Sequence, residues 1–317
     1  MKPVNFTSSL ADEMTHFVKL KQSCGSDYHG SAKLLFRFDQ HLVALLFKDK
    51  VMTQPIFQNY FETINHLCSR GFTNHYSVLQ QFSVWLSLHQ SNSYVLERRR
   101  ALDRSHSRPA YIFTVDQIKA ILDNSASFSK KEELIPGLYQ TLFSLLYSTG
   151  IRISEALGLR HADYINDEKL IDIQKGKFRK QRYLVLSNSA ANRLNEYIQR
   201  YKSTLPIEED SPLFVNMRTK PLTYNNAYGA FIKTLNKSGI TKNHSGPRLH
   251  DFRHSFAVHR LLQWYQTEAD INAKLPFLST YMGHVDITST QVYLQAANEL
   301  LQAGCDRFYN FFINHIK

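Results

Sequence analysis

Apolar side chains along the first hundred residues return at three- and four-residue steps, the spacing of one helical face. Leu10, Met14, Phe17 and Val18 form the first such set, behind the candidate caps Thr7 and Ser8. Leu34, Leu35, Phe38, Leu42, Leu45 and Leu46 repeat the pattern more densely. Segments from about Pro55 to Leu67 and from Asn74 to Leu88 complete an expected four-helix unit. The pattern breaks at 97–108, which reads Glu-Arg-Arg-Arg-Ala-Leu-Asp-Arg-Ser-His-Ser-Arg before Pro109. A proline and few apolar side chains make 97–111 an expected linker between a helical domain at 1–96 and a second domain at 112–317.

Beyond the linker, Thr114 stands as an N-cap ahead of Ile118, Ile121 and Leu122. A longer apolar helix is expected from about Leu134 to Tyr147, stopping at Thr149-Gly150. Leu170-Ile171-Asp172-Ile173 and Arg182-Tyr183-Leu184-Val185-Leu186 are β-prone runs on either side of Lys175-Gly176-Lys177-Phe178-Arg179-Lys180-Gln181. They predict a small antiparallel hairpin with a very basic tip. From Asn188 the helical pattern resumes. The expected fold is mainly α: a helical N-terminal domain and an α-rich C-terminal domain carrying a small antiparallel sheet.

Composition narrows the function. The 317 residues, 43% apolar, suffice for two domains with real cores. Thirty-eight basic against 27 acidic residues give a net charge of +11, which favours a polyanionic partner, either nucleic acid or an acidic membrane surface. No apolar run approaches the ~20 residues that span a bilayer, and no secretory leader pattern opens the chain. Cys24, Cys68 and Cys305 are scattered and odd in number, an expectation of a reducing, cytoplasmic setting without a zinc site.

Four stretches of the second domain combine chemically able residues. Thr149-Gly150-Ile151-Arg152-Ile153-Ser154-Glu155-Ala156-Leu157 sets Arg152 and Glu155 three apart, alone no more than a surface ion pair. The hairpin tip carries Gly176 and Lys177, alone a phosphate contact. Arg248-Leu249-His250-Asp251-Phe252-Arg253-His254-Ser255-Phe256 lets His250 and Arg253 converge on one anion. His250 and His254 also have the spacing of helical metal ligands, but Asp251, Phe252 and Arg253 between them put an arginine where a cation would bind. No metal and no other cofactor is expected. Tyr281-Met282-Gly283-His284-Val285-Asp286-Ile287-Thr288 leads to Thr290-Gln291-Val292-Tyr293, whose tyrosine alone reads as an aromatic at the core's edge.

Taken together, the stretches resemble the tyrosine recombinases, the phage-integrase family that includes Cre and the Xer proteins. The resemblance covers 112–317 in the family's order of Arg, Lys, His-x-x-Arg, Gly-His and Tyr. Met282 replaces the usual leucine before Gly-His, and the Leu-Pro-x-Leu-Ser-x-Tyr form ending at Tyr281 is similar to integrases of transposons and plasmids. By that resemblance the catalytic positions fall on Arg152, Lys177, His250, Arg253, His284 and Tyr293, with Glu155 as the supporting acid. Lys177 is chosen over the flanking Lys175 and Lys180 because Gly176-Lys177 falls at the turn where the family's lysine lies. The first domain then answers to the family's core-binding domain in length and helicity.

The resemblance implies a site-specific recombinase that breaks and rejoins DNA through a phosphotyrosyl intermediate at Tyr293, serving integration or excision of a mobile element. Two permanently charged guanidinium groups suit a phosphate that gains negative charge, His250 suits a base for the phenol, and Lys177 a proton donor to the leaving oxygen. A type IB topoisomerase, or a catalytically silent DNA-binding regulator on the same scaffold, stays open as an alternative. Ala297, Leu301, Cys305, Phe308, Phe312 and Ile316 form an apolar helical stripe, either packed on its own domain or exchanged between protomers of a tetramer on two DNA sites. The implied partners are duplex recombination sites, further copies of this chain and accessory recombination proteins, with no membrane. Arg98, Arg99, Arg100, Arg104 and Arg108 in the linker and Lys175, Arg179 and Lys180 on the hairpin are candidate DNA contacts. Duplex binding should therefore weaken steeply with salt, and replacing Arg98, Arg99 and Arg100 together should lower the slope of log affinity against log salt. An unchanged slope would return that run to a solvated surface.

Overall fold

The computed structural model describes residues 4–98, 110–128, 133–174, 181–208, 210–243, 246–267 and 269–284. Contacts along the chain divide it into two units, Met1–Ser107 and Arg108–Lys317. In the first, helices α1 (Ala11–Ser23), α2 (His29–Ala44), α3 (Gln54–Thr63) and α4 (Ser69–Ser87) turn their apolar stripes onto one core, centred on Phe17, Phe38, Phe57 and Phe82. Helix α4 starts a turn and more before Asn74. Phe72, in that added turn, lies 5.4 Å from the Phe61 ring, and this aromatic contact extends the helix. Thr7 and Ser8 do not cap α1 through their side chains to its first turn. Their backbone N–H groups instead donate to the buried Asp39 carboxylate, at 3.0 and 2.9 Å, which ties the entering chain to α2.

The second unit begins with α5 (Val115–Ser125), where Thr114 and Gln117 close a reciprocal capping box. Helix α6 (Leu138–Thr149) starts four residues later than its apolar run. Pro136 and Gly137 make a capping turn there, and the buried Glu133 carboxylate accepts from the N–H groups of Gly137 and Tyr139 at 2.6 and 3.3 Å. Helix α7 (Ile153–Ala156) is a single turn. Strands β1 (Tyr164–Ile165), β2 (Leu170–Ile173) and β3 (Arg182–Val185) form an antiparallel sheet in the order β1-β2-β3, the predicted hairpin with one short strand added. Ile171 pairs with Leu184 and Ile173 with Arg182, so these four share the inward face. Helices α8 (Asn188–Lys202), α9 (Tyr224–Lys237), α10 (Asp251–Gln266) and α11 (Ile271–Met282) follow, with α6 packed between α5, α8 and α10. Among the described residues no helix is long and apolar enough to cross a membrane.

Phe252 links this core to the chemistry, because it lies between His250 and Arg253 in sequence. Its fully buried ring is 5.2 Å from Phe113, 5.6 Å from Phe143 and 5.7 Å from Phe231. That anchor sets the rotation of the first turn of α10 and hence where its polar neighbours emerge. Phe252→Ala should cost about 3–5 kcal/mol in urea denaturation through lost transfer energy and the cavity left behind. A cost under about 1 kcal/mol would show that the ring does not anchor the helix.

Candidate active site

Helices α6 and α11 end in glycines, and the predicted site is built on those ends. Gly150 closes α6 at φ +62°, its N–H donating to the Leu146 carbonyl at 3.1 Å. A Cβ there would meet the Phe256 ring at 2.5 Å, so neither the backbone nor the space admits a side chain. Gly283 closes α11 at φ +67° in a Schellman motif, Gly283 N–H to Thr280 and His284 N–H to Ser279, at 2.9 and 3.0 Å. The chain leaves each end straight into signature residues, Arg152 after the first and His284 after the second.

A helix C-terminus exposes carbonyls with no partner inside the helix and carries the negative end of the macrodipole. At the end of α11 three guanidinium groups answer three successive carbonyls. Arg182 Nε donates to Tyr281 at 3.0 Å, Arg253 Nη2 to Met282 at 2.7 Å and Arg152 Nη2 to Gly283 at 2.7 Å. Arg253 also donates from Nη1 to the Gly150 carbonyl at 2.6 Å, joining the two glycine-capped ends, and is only 2% exposed.

Glu155 is the counterion. Its Oε1 accepts from Arg152 Nη1 at 2.8 Å and Arg182 Nη1 at 3.1 Å, and its Oε2 from Arg182 Nη2 at 2.7 Å and the Arg152 backbone N–H at 3.1 Å. Burial works to raise its pKa, yet hydrogen bonds and charge from Arg182, then from Arg152, hold it below the ordinary carboxylate value. The Arg152–Glu155 pair is therefore an interior feature, not the surface ion pair that its spacing alone suggests.

His250 precedes the first residue of α10, and its ring meets His254 edge to face with centroids 4.8 Å apart. The packed surroundings of its inner side, then the charges of His254, Arg253 and Arg152, push its pKa down to about 4 although its outer edge meets solvent. It is thus a neutral imidazole at pH 7, able to accept a proton. The neighbouring Asp251 is fully buried and satisfied by Arg248, whose Nη2 donates at 3.0 Å and whose backbone N–H donates at 2.7 Å. Tyr281 is no rival nucleophile: its hydroxyl donates to the Val185 carbonyl at 3.0 Å, and burial pushes its pKa up to about 12.

The structure thus brings Arg152, Glu155 and Arg253 together, sets His250 within reach of their charge, and ties His284 to the end of α11 through its backbone. Lys177 and Tyr293 lie outside the described residues, as do Lys175, Arg179, Lys180, Arg99, Arg100, Arg104, Arg108 and the 297–316 stripe. Arg98 is described and exposed. Sequence reasoning missed Arg182, which is counted above as strand, and gave Arg248 no role. The alternation that makes β3 a strand also held the signal. Arg182, Leu184 and Leu186 share one side, Leu184 is 0% exposed, and an arginine on a buried side needs a carboxylate partner.

Residues 112–299 match the model of the phage integrase family. The protein y4rE of Sinorhizobium fredii, whose name is that of an integrase/recombinase, is 26% identical over 96% of this chain and 97% of its own length. The tyrosine recombinase XerD of Mycobacterium leprae is 34% identical over 57% of this chain and 55% of its own. Among solved structures, the XerH site-specific recombinase bound to palindromic difH substrate superposes with a TM-score of 0.64 at 19% identity, covering 88% of this chain and 78% of that one. The Tn1549 transposon integrase in complex with transposon right-end DNA gives 0.61 at 16% identity, covering 93% and 98%.

His161, His250 and His254 all have pKa values pushed down to about 4, burial being the first cause in each. The unfolded chain, with histidines near 6.5, binds more protons between those values, so the stability these groups contribute is whole above about pH 6.5 and is lost as pH falls toward 4. The melting temperature followed by circular dichroism should drop on going from pH 7.5 to pH 5, before most carboxylates titrate. A flat profile over that window would show that the fold does not hold these imidazoles neutral.

Proposed function

The chain belongs to the phage integrase family and is a tyrosine recombinase, and from that premise we propose that it cuts and rejoins duplex DNA at specific sites through a covalent 3′-phosphotyrosyl intermediate at Tyr293. The observation that carries the reading is the gathering of Arg152, Arg253 and Glu155 at the end of α11, on the chain that leads on to Tyr293.

In-line attack on a phosphodiester loads negative charge onto its equatorial oxygens, and a pocket of fixed cations lowers that barrier without reorganising. Arg152, partly open to solvent, offers N–H groups to those oxygens, and the buried Arg253 supplies charge from beneath them. The Tyr293 hydroxyl gives its proton to neutral His250 as its oxygen bonds to phosphorus. The bond from phosphorus to the 5′-oxygen breaks, and Lys177 protonates that oxygen, with His284 as a further donor. One phosphate ester is exchanged for another, so rejoining runs the same steps backwards without ATP.

The basic 97–108 run and hairpin tip then hold the duplex, the first unit serves as core-binding domain, and the apolar 297–316 stripe joins protomers into a tetramer on two sites. Similarity to y4rE and to a transposon integrase supports service to a mobile element. Sequencing the junctions formed on DNA flanking the chain's own gene identifies the site, and a nicked suicide duplex built on it should trap a covalent protein–DNA adduct. Tyr293→Phe should abolish that adduct. An adduct with the Phe variant would assign the nucleophile to another residue, and no adduct with the unmodified chain would overturn the reading.

A further inference from the structure

Arg182, not Arg152, is the main partner of Glu155. Its two terminal nitrogens take one carboxylate oxygen each, at 3.1 and 2.7 Å, the two-pronged geometry of a strong arginine–carboxylate pair. The guanidinium of Arg152 makes a single bond to the same carboxylate, at 2.8 Å. The side chains of Glu155 and Arg182 are 3% and 10% exposed, that of Arg152 19%, so the pair lies beneath and Arg152 faces outward. Gly283 belongs to the same arrangement, since a Cβ there would lie 2.9 Å from Arg182 Nη1. The signature glycine is small where Arg182 fills the space.

The charges decide what this does. A carboxylate shared by Arg152 alone would cancel it, leaving a neutral pair to face a phosphate. Two guanidinium groups on one carboxylate leave one net positive charge, carried outward by Arg152. We propose that Arg182 is a positioning residue that takes up the charge of Glu155, so that Glu155 can orient Arg152 without neutralising it toward the scissile phosphate. Arg182 is spent on Glu155 and the Tyr281 carbonyl, and acts through Glu155. The inference rests on the recombinase reading only for what Arg152 grips.

The test compares Arg182→Gln, Glu155→Gln and the double variant in the full chain. Without DNA, the midpoint of the His250 ring proton signal reports the net charge that reaches it from the Arg152 side, since the Arg152 charge is among those that lower its pKa. Arg182→Gln should raise that midpoint and the double variant should return it to the unmodified value, because the double change restores the net charge. No rise, or a rise that the double variant leaves in place, overturns the proposal, since the midpoint in the folded chain follows the net charge of the cluster and a loss of stability alone does not move it. If Arg182→Gln does not fold alone, the double variant decides: folding with the unmodified midpoint supports the proposal, and failing to do so overturns it.

With the nicked suicide duplex, Arg182→Gln should slow adduct formation at least tenfold while duplex affinity changes less than threefold. Adding Glu155→Gln should recover at least fivefold of that loss, and a further loss in the double variant overturns the proposal. If the unmodified chain forms no adduct, the recombinase reading fails, and the His250 midpoints still decide the role of Arg182.

Discussion

Guanidinium groups meeting the open carbonyls of a helix end are the constraint on which the site depends. Taking a charge out of water costs roughly several kcal/mol per ion even after the protein relaxes, so each buried cation must be met by oxygen atoms in good geometry. The end of α11 supplies three carbonyls in succession, and Glu155 supplies a full negative charge that Arg152 and Arg182 share. Neither set suffices alone. The carbonyls hold the arginines without cancelling their charge, and the single carboxylate cancels only part of it, so the pocket stays cationic while its groups stay bonded.

That surplus adds to burial in setting the state of His250. An imidazole among arginines, ahead of a helix N-terminus, has every reason to stay neutral. In the proposed reaction a neutral imidazole is the form that takes the nucleophile's proton, and the arginines that would meet a phosphate add to burial in keeping it neutral. An arriving phosphodiester adds negative charge to the pocket, which eases protonation of His250 at the moment a proton must be taken up. In the proposed reaction, base strength and substrate binding would thus be coupled through one field.

Much of this was legible because glycine and arginine leave distinct marks. Gly150 ended its helix where the sequence put it, and Arg152, Glu155 and Arg253 lie together, as the family resemblance implied. The hairpin strands Leu170–Ile173 and Arg182–Val185 followed from their β-prone composition. What escaped were features set by distant partners. The N–H groups of Thr7 and Ser8 go to Asp39 on another helix, and the start of α6 is set by Glu133. Arg182 was hidden for the same reason: its fork closes on Glu155, 27 residues earlier, and local pattern assigns a strand arginine to solvent by default.

Gly283 shows how tightly the elements are joined. One residue provides the left-handed turn that ends α11, the carbonyl that holds Arg152 and the clearance that admits Arg182. Any tilt of the last turn of α11 must therefore lengthen bonds to three arginines at once, and through Arg253 it pulls on Gly150 at the end of α6. The chain that runs on toward Tyr293 starts from this turn. The requirement for glycine at 283 is thus both conformational and steric: the left-handed φ and the Arg182 guanidinium each exclude a side chain.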